Sequence, residues 1–236
     1  MTRRRWIADQ VSGNRAFLIG SHATHLARVL RATIGQQFDI STGNEVRHGR
    51  IVNISDDRVE FELGETVRAP ALRMVKVALA VFKFDRFEWA VEKCTELGVT
   101  EIIPVIAHRT DTHLATAAAK RVERWRRIAH EASQQSRRIA PPEIAEPARL
   151  KQYLAAETAA DRIVLSEREE YVQVPDLVGG DREVVIAVGP EGGWTDEELR
   201  LFAEAGWRSA SLGRMILRAE TAAIAGVAIV AALSGA

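Results

Sequence analysis

The hydrophobic pattern of this 236-residue chain changes period once, near residue 74. Before that point, short segments alternate apolar and polar residues: Phe38-Asp-Ile40, Arg50-Ile-Val-Asn-Ile54 and Arg58-Val-Glu-Phe-Glu-Leu63. A period of two buries one face of each strand and wets the other. Turn residues separate the strands at Thr42-Gly-Asn44, Ser55-Asp-Asp57 and Gly64, and a short helix is expected over about His22–Arg31. The pattern predicts a small β-barrel domain over residues 1–70, with Arg68-Ala-Pro-Ala-Leu-Arg73 as the linker that follows.

After the change, strands read as near-continuous apolar runs. Val75-Lys-Val-Ala-Leu-Ala-Val-Phe82 has the character of a strand covered on both faces. A helix follows over Phe84–Leu97, with Phe87, Val91, Cys94 and Leu97 on one side and Gly98 as its terminator. Further strands are expected at Glu101–Ala107, Arg162–Leu165, Glu183–Val188 and Ser209–Leu212. Helices are expected over about Thr116–Arg138, Asp196–Ala205 and the uncharged terminal stretch from Ala222. Strands alternating with helices define an α/β domain with a mostly parallel sheet over residues 74–236.

Composition narrows the function classes. A 47% hydrophobic chain with one cysteine is neither disordered nor held by disulfides, and no Cys/His cluster has zinc spacing, so no metal is expected. The basic start has no apolar run behind it, so no signal peptide is expected and a cytoplasmic setting is the default. Ala222–Ala236 is 15 residues long, too short to span a bilayer, and reads as a helix buried against its domain or a partner subunit. The net charge of zero hides an asymmetry: residues 1–70 carry 10 basic and 8 acidic groups, residues 71–150 carry 14 and 10, and residues 151–236 carry 8 and 14. A basic front and an acidic end suit a polyanion surface separate from a second site.

Three segments carry candidate chemistry. Gly189-Pro-Glu-Gly-Gly-Trp-Thr-Asp-Glu-Glu-Leu199 runs from an apolar strand through a glycine loop into a helix capped by Thr195 and Glu198. Such a loop either forms a tight structural turn or brings backbone close to a ligand. Glu191, Asp196, Glu197 and Glu198 would repel phosphate, so a ligand there should be neutral or cationic. In Leu212-Gly-Arg-Met-Ile-Leu-Arg-Ala-Glu-Thr-Ala222, Arg218 and Glu220 adjoin a strongly apolar helix, either as a surface pair and helix cap or as functional groups. The helix Lys120–Arg138 carries seven basic residues against two acidic ones, which fits either a solvated face or a phosphodiester track. His108 and His113 flank Asp111 with no further ligand close by, and Cys94 belongs to an apolar stripe.

Together these segments resemble the bacterial 16S ribosomal RNA N3-uridine methyltransferases (the RsmE family) of the SPOUT class. The motifs are Arg4-Arg5, His25-Leu-Ala-Arg-Val-Leu-Arg31 with Gly35, Glu92-Lys-Cys-Thr-Glu-Leu-Gly98, Gln134-Gln-Ser-Arg-Arg138 with Pro142-Glu143, Gly189–Gly193 and Leu212–Ala222. The resemblance implies a PUA-like barrel followed by a SPOUT domain with a deep trefoil knot, which binds S-adenosylmethionine and pairs as a homodimer. It assigns the cofactor to Leu165, Ser166, Gly189, Pro190, Glu191, Gly192, Gly193, Leu212, Gly213, Ile216 and Leu217. It makes Arg218, Glu220 and Arg138 the catalytic candidates, with Arg218 first. RNA contacts are expected from Arg4, Arg5, Arg28, Arg31, Lys83, Arg109, Arg124, Arg127 and Arg138. Arg137 stands where the family has a usual glycine, and Lys83-Phe-Asp-Arg86 where it has a Gly-containing turn. The implied substrate is 16S ribosomal RNA of the small subunit, with no membrane partner. Alternatives are a SPOUT enzyme acting on transfer RNA or ribose O2′, or a non-catalytic ribosome-assembly protein.

Overall fold

The computed structural model describes residues 5–55, 57–67, 73–180 and 182–233. The chain forms two compact units, Met1–Ala71 with Ser133–Pro141, and Leu72–Ala132 with Pro142–Ala236. Of the expected linker, residues 68–72 lie outside the described residues.

The first unit contains β1 (Arg5–Ile7), β2 (Gln10–Ser12), β3 (Arg15–Ile19), α1 (Ser21–Thr24), β4 (Gln37–Ser41), β5 (Val46–Ile54) and β6 (Arg58–Val67). They form one sheet in the order β1-β4-β5-β6-β3-β2. Its two ends are brought together by consecutive residues. Ala8 N–H donates to Ser41 O and Asp9 N–H donates to Phe17 O, each at 2.9 Å. The alternating residues fill the interior, with Leu18, Ile40, Ile51, Val59, Phe61 and Leu63 buried together. The expected helix is α1 followed by a π-helical turn over His25–Val29. Arg31 ends it at φ +52°, where glycine would avoid the Cβ clash.

The sequence pattern places residues 133–141 with the large domain, but they pack with the barrel. The Gln134 side chain takes both backbone groups of Ile7: Ile7 N–H donates to Oε1 at 3.0 Å and Nε2 donates to Ile7 O at 3.4 Å. Ser41 Oγ donates to Ile139 O. This segment thus satisfies polar groups along β1 and β4. Arg137 sits at φ +59°, a left-handed conformation that explains why a glycine suits this position.

The second unit runs β7 (Val75–Ala80), α2 (Phe84–Glu96), β8 (Glu101–Ile106), α3 (Thr112–Ala117), α4 (Val122–Gln135), β9 (Glu143–Ile144), β10 (Ala148–Arg149), α5 (Leu150–Ala156), β11 (Asp161–Leu165), α6 (Val174–Leu177), β12 (Val184–Val188), α7 (Asp196–Glu204), β13 (Arg208–Ala210) and α8 (Ala219–Leu233). All the strand pairs of its sheet are parallel, in the order β10-β8-β7-β12-β11-β13 with β9 also on β8. Double coverage explains the near-continuous apolar runs. Val77, Leu79 and Ile186 face a layer containing Phe87, Val91, Ala223 and Val227. Ala78, Ala80 and Val185 face Tyr153, Phe202 and Trp207 on the other side. The helix expected over Thr116–Arg138 is instead α3, a 3-10 turn over Ala118–Arg121, and α4. Asp111 starts it early, accepting from His113 N–H at 2.8 Å as the cap of α3. Helix α8 comes close to the sheet at Gly226, where a Cβ would lie 3.3 Å from Leu165 Cδ1.

Candidate active site

Because every strand of the second sheet points the same way, β11, β12 and β13 end on one edge. Ligands of open α/β sheets bind beyond that carboxyl edge. There, Ser166 follows β11, Gly189 follows β12, and Ser211 and Leu212 follow β13. A cleft of about 440 Å³ opens among these segments. Its walls include Leu165, Ser166, Gly189, Pro190, Glu191, Gly192, Gly193, Leu212, Gly213, Ile216 and Leu217, with Arg218 beside them. The eleven positions named for the cofactor therefore meet in one place, although three separate stretches of chain supply them.

The glycine loop is held by an interlocking polar network. Thr195 N–H donates to Glu198 Oε2 at 2.9 Å and Glu198 N–H donates to Thr195 Oγ1 at 3.2 Å, forming the expected capping box. The second Glu198 oxygen accepts from His108 N–H at 2.7 Å, which ties α7 to the end of β8. Each glycine has its own constraint. A Cβ on Gly189 would lie 3.2 Å from Trp194 Nε1. Gly193 has φ +69°, and its Cβ would lie 2.7 Å from Glu167 Oε1. Arg109 donates to Gly192 O, so this expected RNA contact braces the loop instead of standing clear of it.

The carboxylates near the loop are less repulsive than their number suggests. Glu191 accepts from Arg86 Nη1 at 3.1 Å, Asp196 is paired with Arg168, and Glu198 is spent on the cap. Arg86 also reaches the other candidate segment, its Nε lying 3.8 Å from Glu220 Oε1. Glu220 is only 4% exposed, and its Oε2 is buried without a hydrogen-bond partner. Arg218 is exposed at the start of α8, where its carbonyl accepts from Ala222 N–H at 2.8 Å. Arg86 and Glu167 line the cleft but went unnamed for it in the sequence, since Lys83–Arg86 reads only as a turn for RNA contact.

Arg138 belongs to the first unit and does not line the cleft. Its Nε donates to Ala140 O at 3.0 Å, and burial pushes the guanidinium down to about 10. On α4, Arg124 is clamped by Glu88 of α2 through two hydrogen bonds of 2.7 and 2.8 Å, and Arg126 is tied to Glu123 and Glu146. The basic face is thus more neutralised than its own helix indicates, while Arg127 is exposed. Arg28, Arg31 and Lys83 are also exposed, and Arg5 donates to Arg137 O. Arg4 lies outside the described residues.

A parallel α/β unit with a glycine-loop cleft at its carboxyl edge, together with a curled barrel, defines a class that family comparison identifies. Residues 69–231 match the model of an RNA methyltransferase domain, and residues 18–64 match an RNA methyltransferase PUA domain. The chain is 36% identical to ribosomal RNA small subunit methyltransferase E of Aquifex aeolicus, over 94% of this chain and 96% of that one. It is 31% identical to the Synechocystis protein of the same name, over 95% of this chain and 75% of the relative. The chain belongs to the ribosomal RNA small subunit methyltransferase E family. A crystal structure of the Neisseria gonorrhoeae member, bound to S-adenosylmethionine, superposes with a TM-score of 0.85 at 26% identity, covering 99% of this chain and 98% of that one.

Proposed function

We propose that this chain methylates N3 of a uridine in 16S ribosomal RNA of the small subunit, using S-adenosylmethionine. The observation that carries the reading is the convergence of all eleven expected cofactor residues on one cleft at the carboxyl edge. The cleft suits that cofactor. Its volume of about 440 Å³ lies within the usual small-molecule range of roughly 300–1,000 Å³. Leu165, Val188, Leu212, Ile216 and Leu217 offer apolar walls, while Glu167 and Glu191 place carboxylates near a ligand that carries a cationic sulfonium.

Bound there, S-adenosylmethionine supplies an electrophilic methyl group. The chain's own residues must then help uracil give up its N3 proton to solvent water, because the neutral ring is a poor nucleophile. Loss of that proton spreads negative charge over N3 and two carbonyl oxygens. Arg218, exposed on the cleft wall, is placed to donate to that charge as it develops. N3 lies on the pairing edge, so the uridine must be unpaired or extruded first.

Within this reading, residues 1–70 form the PUA-like RNA-binding part and residues 74–236 the methyltransferase. Arg28, Arg31, Lys83, Arg109, Arg124 and Arg127 are exposed RNA contacts, of which Arg109 also braces the loop and Arg124 is paired with Glu88. The deep knot belongs to the same proposal, supported by the pairing of Ser211, just after β13, with the segment that follows β11. Ser211 N–H donates to Val172 O at 2.9 Å, and Gln173 bridges to Ser211. The partly exposed apolar face of α8, with Ile224, Ala225 and Ala228, supports a homodimer. No helix among the described residues is long and apolar enough to cross a membrane.

The test is incubation of the protein with labelled cofactor and small ribosomal subunits that lack the modification, followed by nucleoside analysis. Labelled N3-methyluridine is the expected product. Label in a 2′-O-methylated nucleoside, or incorporation only into transfer RNA, would refute the proposal.

A further inference from the structure

We infer that Arg86 is a positioning residue of the cleft, and that Glu220 works through it instead of taking the substrate proton. The inference rests on the methyltransferase reading only for the purpose of the cleft. The contacts themselves stand in the chain alone. Arg86 lies in the first turn of α2 and lines the cleft. Its guanidinium is divided between two segments: Nη1 donates to Glu191 Oε1 on the glycine loop at 3.1 Å, and Nε stands 3.8 Å from Glu220 Oε1 on α8.

Burial makes this arrangement necessary. The Glu220 side chain is 5% exposed, and a buried carboxylate without a counter-charge is strongly unfavourable. Arg86 is the cation paired with it, and it is itself only partly exposed. Glu220 does not line the cleft, although its neighbours Arg218, Ala219 and Ala222 do. A carboxylate lying behind the wall is poorly placed to receive a proton from a substrate in front of it. It is well placed to hold the arginine in the wall. The relay Glu191–Arg86–Glu220 therefore joins the glycine loop, α2 and α8, three segments whose mutual spacing sets the width of the cleft. An arginine fork can face two carboxylates at once, hydrogen-bonding one and neutralising the other, which a single ammonium does less well in the same geometry.

Hydrogen exchange on the cofactor-free protein tests the relay directly. Arg86→Gln and Glu220→Gln should each speed exchange of the amides from Gly189 to Trp194 by about tenfold or more, with β7 and β8 amides unchanged. The double variant should exchange no faster than the worse single variant, because the two groups act as one unit. Calorimetry with S-adenosylmethionine should show weaker binding in Arg86→Gln and partial recovery in Arg86→Lys. Unaltered loop exchange in Arg86→Gln, or effects that multiply in the double variant, would overturn the relay. Failure of the wild type to bind S-adenosylmethionine would strike the methyltransferase reading instead, while the exchange result would still decide the role of Arg86.

Discussion

The two edges of the seven-stranded sheet differ in how much of their polar surface is left open. At the edge where the parallel strands begin, charged side chains find one another. Lys76 of β7 lies 2.9 Å from Glu183 and 3.6 Å from both Glu101 and Glu157. Asp161, at the start of β11, takes Arg182 at 2.9 Å and Arg208 at 3.6 Å. At the edge where the strands end, pairs such as Arg86–Glu191 brace the loop, but glycines expose backbone and Arg218 faces solvent. Met215 and Ile216 there are 80% and 87% exposed. Groups that pair within the chain hold the fold, and groups left open are those a ligand can use. Changes at one edge should therefore be read in stability and changes at the other in binding or rate.

The largest effect is expected at the open edge. Arg218→Ala should lower the single-turnover methylation rate about 100-fold, a loss typical of one electrostatic donor, while the melting temperature barely moves. A rate loss explained wholly by weaker cofactor or RNA binding would remove Arg218 from the chemistry.

The opposite edge should answer in stability. Lys76→Met leaves Glu101, Glu157 and Glu183 facing one another, with Glu157 buried, and should cost about 2 kcal/mol in denaturant unfolding without altering cofactor affinity. The pH dependence has a definite sign. Burial disfavours the Lys76 ammonium, but the hydrogen bond to Glu183 and the charges of Glu157, Glu183 and Glu101 outweigh it and raise its pKa above the ordinary 10.5. A raised lysine stabilises fully below its unfolded pKa and loses that contribution as pH rises through the folded one. The stability gap between wild type and Lys76→Met should therefore narrow above pH 10.5.

Gly193→Ala comes next, because φ +69° strains any other residue and its Cβ would crowd Glu167. Cofactor affinity should fall about tenfold, equivalent to a strain of about 1.4 kcal/mol. Calorimetry showing unchanged affinity would mean that the loop does not touch the cofactor.

The smallest effect extends the rule from the sheet to α4. Arg127→Ala should reduce the salt dependence of RNA binding by about one unit of slope, whereas Arg124→Ala should change it less because Glu88 already neutralises that guanidinium. Equal slopes for the two variants would place the RNA track elsewhere.

Local signals in the sequence were legible and distant pairings were not. The glycine loop and its cap were readable because strand, turn and Thr195–Glu198 box lie within fifteen consecutive residues. The apolar runs of β7 and β12 announced a sheet covered on both faces. The Arg86–Glu191 contact joins positions 105 residues apart, and no periodicity relates them. Likewise, the outward stripe of α4 is evident from its spacing, but Glu88 that quenches Arg124 belongs to another helix. The packing of residues 133–141 with the barrel depends on the Gln134 amide standing in for a strand neighbour, which hydrophobic patterning does not record.

The central claim is that the carboxyl edge of this sheet is where S-adenosylmethionine is held. A crystal structure of the protein grown with S-adenosylhomocysteine, the demethylated product, tests it most directly. The expected result is nucleoside density between the backbone of Gly189–Gly193 and that of Leu212–Leu217, with the Glu191–Arg86–Glu220 contacts in place beside it. Density for the ligand at any other edge or surface, with this cleft filled only by water, would contradict the account.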